Sequence, residues 1–268
     1  MLASGVFPSV SRRIFASKAC ATLGHCSACS SVEDHMSERD VGVVIVAGGN
    51  STRTQAAGAG ELKQLRWVAG KPMLLHSLQT FQARADVAMV VCVLPQRYAG
   101  DPPPWLFQCD LDRMLIAPGG KVRAQSVFNG LEDLPSECRY VLIHDAARPL
   151  ATPEMIDRVV REARKGHGAI AALPVVDTLK EVDADGWIVR TVARENLWRA
   201  QTPQGFPREV IVRAHLDARA AGVDATDDAA LCERIGVPVV VVRGSERAMK
   251  VTEESDFTRA EALFPLSE

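Results

Sequence analysis

Arg53 and Lys63 lie ten positions apart on one polar, glycine-containing loop that follows the apolar run Val43-Val44-Ile45-Val46. The loop opens with Ala47-Gly48-Gly49, whose small side chains let backbone N–H groups approach a ligand closely. A planar guanidinium and a compact ammonium on such a loop suit the oxygens of a polyphosphate. Three further groups stand just after other apolar runs. Gly119-Gly120 leads to Ser126, Asp145 is followed by Arg148, and Lys250 lies between Met249 and Val251. A carboxylate at a phosphate site commonly holds Mg²⁺, which needs only one or two protein carboxylates beside phosphate and water. Asp145 is therefore the candidate metal ligand. Capping the next helix is the plainer alternative for Asp145, but Thr152 already fits that role.

The elements that must position these groups alternate in type. Continuous apolar strands are expected at 43–46, 87–94, 114–117, 140–144, 168–176 and 237–243, with helices between them. Pro72 opens a helix whose Leu74, Leu75, Leu78 and Phe81 share a face; Arg123–Leu134 forms another; Thr152 and Pro153 start a third that Gly166 ends. This pattern predicts a single Rossmann-like α/β domain, with a mostly parallel sheet covered by helices on both faces. Ligands bind at the carboxyl ends of the strands in such sheets. The candidate residues all fall there, which argues for one composite site.

After residue 177 the character changes. Asp177–Val192 alternates around an Asp185-Gly186 turn and reads as a projecting β-arm, about residues 177–200. Thr202-Pro203-Gln204-Gly205-Phe206 reads as a rigid, non-helical crossing segment. Helices follow at 208–221 and 226–235, and Thr252 is placed to cap a last one.

Composition bounds the function. Hydrophobic residues make up 47% and charged residues 24% of the 268, and the formal charge is −2, so there is a substantial core and no basic field for nucleic acid. No apolar run approaches the roughly 18 residues that cross a bilayer. Seven cysteines, odd in number and scattered, point to a reducing compartment such as the cytoplasm. Residues 1–40 differ from the rest: Met1 to Val32 contains no Asp or Glu and is rich in Ser and Ala. A plastid transit peptide, a poorly ordered tail, or upstream sequence before a true start at Met36 each fit, and the last is favoured because Met36 lies just before the first strand. Cys20, Cys26 and Cys29 lack a second pair at zinc-site spacing.

The dinucleotide fingerprint and the P-loop do not fit, because Gly48 and Gly49 are adjacent and no Gly-Lys pair precedes Ser or Thr. An ordinary strand-to-helix turn with solvated charges remains the bland reading of the first loop taken alone. Seven segments in order supply more: AGGNSTR with Lys63-Gln64, GGKVRAQSV, LIHDAARP, PVVDTLK, RENLWRAQTPQGF, TDDAALCE and MKVT. Together they resemble the 2-C-methyl-D-erythritol 4-phosphate cytidylyltransferases of non-mevalonate isoprenoid synthesis, over about residues 42–264. The resemblance implies that Ala47, Gly48, Gly49, Gly119, Gly120 and Ser126 hold CTP. It implies that Arg53 and Lys63 bind and stabilise the transferring phosphoryl group, and that Asp145 binds Mg²⁺ at the nucleotide. Arg148, Thr178, Arg194, Thr202 and Lys250 would position the methylerythritol phosphate beside Asp145, with Arg194 and Lys250 also serving catalysis. Arg194 follows the arm, which in the family crosses to a second subunit, so a homodimer is implied.

Two features depart from the family. Ala47-Gly48-Gly49 replaces the usual Ala-Ala-Gly, and the Arg53–Lys63 spacing is a few residues longer than usual. The Ala-Gly-Gly form also occurs in ribitol 5-phosphate cytidylyltransferases, the alternative acceptor class. Asp177-Thr178-Leu179-Lys180 and His144–Arg148 look more like the isoprenoid enzyme. A non-catalytic nucleotide-binding regulator on the same fold is the alternative of a different kind. It would be expected to lack the loop cations or the carboxylate, all of which are present. No Ser-His-Asp or Cys-His arrangement suggests a covalent nucleophile.

Overall fold

The structure, a computed structural model, describes residues 39–47 and 62–264. The reading of the N-terminal stretch therefore lies almost wholly outside the described residues, as do Gly48, Gly49 and Arg53.

The strands are β1 (Val41–Val46), β2 (Trp67–Val68), β3 (Lys71–Pro72), β4 (Val87–Leu94), β5 (Met114–Pro118), β6 (Tyr140–Asp145), β7 (Gly168–Pro174), β8 (Leu179–Val182), β9 (Ile188–Val192), β10 (Trp198–Pro207) and β11 (Val239–Arg243). The helices are α1 (Met73–Gln82), α2 (Gln96–Gly100), α3 (Arg123–Asp133), α4 (Pro153–Arg164), α5 (Arg208–Ala221), α6 (Asp228–Arg234) and α7 (Glu254–Leu263). Seven strands form one sheet in the order β11-β7-β10-β6-β1-β4-β5. All neighbours run parallel except β10, which is antiparallel to β6 and β7. The expected α/β architecture is thus present.

β1 is buried along its whole length because both faces are covered, which is why it reads as an unbroken apolar run. One face carries Leu74, Leu78 and Phe81 of α1 with Met155, Ile156 and Val159 of α4. The other carries Val127 and Leu131 of α3 with Ile211 and Ala214 of α5. At Gly130 a Cβ would lie 2.6 Å from Val44 and 2.9 Å from Val93, so only glycine lets α3 sit this close to β1 and β4. That approach sets the height of Arg123 at the helix start. Thr152 caps α4 through its hydroxyl, as expected, with Pro153 following it.

Two expectations are corrected and one is sharpened. The rigid, non-helical segment around Thr202 is a strand in the interior of the sheet, between β7 and β6. Its ladder skips from Ala200 to Gln204, so Pro203 falls where no N–H is needed. β11 is an edge strand rather than a buried one, with Val240 and Val241 about 40% exposed, because β7 is its sole ladder partner among the described residues. Thr252 does not cap α7. Glu253 does, in a reciprocal box with Asp256, and Thr252 donates its N–H and hydroxyl to Asp256.

The arm is present as β8 paired antiparallel with β9, in a two-stranded sheet of its own. Val182, Trp187, Ile188 and Val189 on it are more than half exposed.

Candidate active site

Asp145 ends β6 in the middle of the sheet, where the strand order places it beside the end of β1. Its carboxylate is gripped from two sides. Lys250 Nζ lies 2.8 Å from Oδ2 and Arg123 Nε 3.3 Å from Oδ1. Burial alone would push this carboxyl up, but Arg123 and Lys250 outweigh it and hold it well below the usual carboxylate range. Asp145 is therefore an anion at any physiological pH.

The backbone around it is tied down by a directional chain. His144 is fully buried, and burial pushes its imidazole down to about 4, so it is neutral. Its Nε2 lies 3.1 Å from the Arg148 carbonyl oxygen, which can only accept, so Nε2 carries the proton. Nδ1 must then accept, and the Thr202 hydroxyl donates to it at 3.1 Å. The same hydroxyl oxygen accepts the Asp145 N–H at 3.0 Å. One polar chain thus couples β6, β10 and the 145–148 turn.

Lys250 is brought to Asp145 by the segment before α7, where the Val251 N–H bonds the Ala147 carbonyl at 2.8 Å. Arg148 donates to the carbonyls of Ala248 at 2.8 Å and Ala200 at 3.3 Å, while its buried Nε has no hydrogen-bond partner among the described residues. Lys63 stands in a short 3₁₀ turn at 63–65. Burial lowers its pKa, and the nearby Lys250 lowers it further, while Asp256 and Asp145 offset part of this. Lys63, Lys250, Arg123 and Arg148 outnumber the carboxylates Asp145, Asp228 and Asp256 around them by one, an excess of positive charge that suits a polyanion.

Across the sheet from this cluster, the loop between β5 and α3 is knitted internally. Ser126 is buried; its hydroxyl accepts the Gly120 N–H at 3.0 Å and donates to the Val122 carbonyl at 3.1 Å. The Gly119 N–H bonds the Leu94 carbonyl. At Gly120 a side chain would run into Gln125. Ala47 is fully buried at the end of β1, with its N–H on the Val93 carbonyl.

The structure thus brings Lys63, Asp145, Arg148, Thr202 and Lys250 into one cluster, with Ala47, Gly119, Gly120 and Ser126 on the adjoining strand ends. Thr202 and Ser126 spend their hydroxyls on the protein itself. Thr178 and Arg194 are exposed on the arm side, and Arg194 donates to the Val176 carbonyl rather than to the cluster. Arg123 is the larger surprise. It lies three residues before Ser126 on the same helix, but nothing in the sequence says that it binds two carboxylates, Asp145 and Asp228. Asp228 and its partner His215 were missed as well; Asp228 follows the N-cap Asp227 in the segment TDDAALCE and looks in sequence like one more acidic residue of a helix start. Among the described residues no three metal-binding side chains cluster, so Asp145 is a lone carboxylate rather than part of a protein-built metal cage.

Residues 41–265 match the family of 2-C-methyl-D-erythritol 4-phosphate cytidylyltransferases. The enzyme of that name from Synechocystis sp. is 40% identical over 227 residues, covering 82% of this chain and 95% of the relative. Its counterpart from Streptomyces coelicolor is 41% identical over 230 residues, covering 82% and 83%. The crystal structure of the Thermus thermophilus enzyme superposes with a TM-score of 0.70 at 34% identity, covering 84% of this chain and 98% of that one. That of 4-diphosphocytidyl-2C-methyl-D-erythritol synthase from Anaerococcus prevotii gives 0.72 at 26%, covering 84% and 96%.

Proposed function

The chain belongs to the 2-C-methyl-D-erythritol 4-phosphate cytidylyltransferase family, and from that premise we propose how its residues divide the reaction. The enzyme transfers a cytidylyl group from CTP to 2-C-methyl-D-erythritol 4-phosphate. A phosphate oxygen of the acceptor attacks the α-phosphorus; the new P–O bond forms as the α–β bond breaks and pyrophosphate leaves. No enzyme nucleophile is needed, so catalysis is positioning and charge stabilisation.

The observation that carries this division is the ionised Asp145 held between Lys250 and Arg123 with Lys63 beside it. Lys63 and Lys250 stabilise charge on the phosphoryl oxygens, together with Arg53 from the adjoining loop. Ala47, Gly48, Gly49, Gly119 and Gly120 shape the nucleotide site, and Ser126 holds that shape. Arg148 carries its positive charge in the same cluster, beside Asp145, which fits a role in binding the anionic acceptor. Thr202 acts through Asp145, whose amide it holds. The donor set fits Mg²⁺: one carboxylate kept ionised, with substrate phosphates and water to complete the shell. Asp145 would hold the ion, which would neutralise the triphosphate charge.

The arm supports a homodimer. An isolated two-stranded ribbon is not stable alone, and its exposed Trp187, Ile188 and Val189 need a partner surface. Arg194, and Thr178 with it, would then serve the acceptor in the neighbouring site. Mixing inactive Arg194→Ala and Asp145→Ala proteins tests this. Subunit exchange should restore part of the activity, and no recovery despite demonstrated exchange would place each site within one subunit.

Among the described residues the cysteines at 92, 109, 138 and 232 are free, which accords with a cytoplasmic setting, and no helix there is long and apolar enough to cross a membrane. Pyrophosphate release measured with four nucleotides, each paired with methylerythritol phosphate or ribitol 5-phosphate, tests the substrate reading. Preference for CTP with the first acceptor is expected; equal turnover of ribitol 5-phosphate would favour the other acceptor class, and no release would favour a regulator.

A further inference from the structure

Asp228 is fully buried at the start of α6, yet both of its carboxylate oxygens are engaged. Oδ2 takes Arg123 Nη1 at 2.8 Å, and Oδ1 takes Nε2 of the buried His215 at 3.1 Å. Its own N–H donates to Gln204 Oε1 at 3.1 Å, which also accepts the Ala229 N–H, while Gln204 Nε2 holds Asp227. The first turn of α6 is thereby bolted to β10, the strand that also carries Thr202.

A buried ion pair contributes little net stability, because desolvation offsets the attraction, and apolar residues would fill the space as well. What such a pair does supply is a fixed geometry. The shorter of Arg123's two carboxylate contacts is to Asp228, which is buried and held at both oxygens and its amide; the longer, at 3.3 Å, is to Asp145. Arg123 can therefore loosen its hold on Asp145 when a nucleotide or metal arrives, without leaving its place. Its Nη2 makes no hydrogen bond within the described residues and remains able to meet an oxygen of the nucleotide.

We propose that Asp228, steadied by His215, is a positioning residue for the nucleotide half of the reaction: it anchors Arg123 at the edge of the Asp145 cluster. Asp228 meets no reacting atom and acts through Arg123 alone. The proposal rests on the reading of the Asp145 cluster as the active site.

Steady-state kinetics on the full chain tests it, with Asp228→Asn, Arg123→Ala, the double variant, and Asp145→Asn as the control for the site itself. Losing a hydrogen bond between charged groups of this kind costs about 10–100-fold. Asp228→Asn should lower kcat/KM for CTP by that factor, through KM, and leave KM for methylerythritol phosphate unchanged. In the double variant Asp228→Asn should add less than about twofold to the effect of Arg123→Ala, since coupled residues are not additive. Multiplying effects, or equal rises in both KM values, would overturn the proposal. If Asp228→Asn does not fold, His215→Ala carries the test: a selective rise in the CTP KM supports it, and unchanged kinetics in a folded protein overturns it. Normal activity in Asp145→Asn would instead overturn the reading of the site on which the proposal rests.

Discussion

The two ends of the sheet both carry networks of charged side chains, but their balance differs. At the amino ends of the strands, Asp40, Asp86 and Asp157 meet Arg84, Arg139 and Arg164, three against three. Arg84 grips Asp86 with two nitrogens and Asp157 with the third. At the carboxyl ends, three carboxylates, Asp145, Asp228 and Asp256, face four cations, Arg123, Lys250, Arg148 and Lys63. A balanced network closes on itself and joins β1, β4 and α4. An excess of cations is strained until an anion joins it. The same residue types thus serve architecture at one end and ligand binding at the other, and the sign of the surplus tells them apart.

That contrast can be broken most sharply at Lys63. Removing one preorganised donor typically costs about 10²–10³-fold in rate. Lys63→Ala should lose that much in kcat while its melting temperature stays the same or rises, because a like-charge contact with Lys250 is relieved. A large fall in melting temperature would mean that the carboxyl end is structural after all.

His144 lies beneath the catalytic end and yields a pH signature. An unfolded histidine titrates near 6.5 and the folded one at about 4, so between those values the unfolded chain binds the extra proton. Stability from this group is whole above about pH 6.5 and is lost as pH falls toward 4, by about 3 kcal/mol in all. The depressed Asp145 carboxyl acts in a separate window: its contribution is present above the unfolded carboxylate value and is lost only at more acid pH. Denaturant titrations from pH 7 to pH 4 should show the slope, and His144→Gln should flatten it. An unchanged slope would assign it to other groups.

The opposite end should behave in reverse. Asp86→Ala leaves Arg84 with Asp157 alone and weakens Arg164, and should cost about 2–3 kcal/mol, below the full value for a buried pair because Arg84 keeps that second carboxylate and Arg164 reaches solvent. Its kcat and both KM values should not move; a selective kinetic defect would sink the contrast. The smallest effect is expected from deleting residues 1–35, since the first core strand begins at Val41. Melting temperature and kcat should both be retained, and a loss of either would mean that the stretch contributes to the fold or the site.

Much of this was legible from the chain alone, and for a physical reason. Strand runs such as Val87–Leu94 and caps such as Thr152-Pro153 are local signals, set by burial periodicity and by backbone groups a few residues away. The rule that ligands meet strand ends then placed Lys63, Asp145 and Lys250 together, although they are far apart in sequence. Tertiary structure decided what depends on partners that no local pattern encodes. β10 is a central strand despite Pro203 because its ladder skips that residue. β11 is exposed because it lies at the edge of the sheet. Thr202 and Ser126 turn their hydroxyls inward because His144, Asp145 and Gly120 are there to meet them. The pairing of Arg123 with Asp228 spans 105 positions and exists because α3 and α6 pack at the same end of one sheet. A charge in a sequence has a sign; which opposite charge it meets, and which end of the sheet is left with a surplus, only the packing settles.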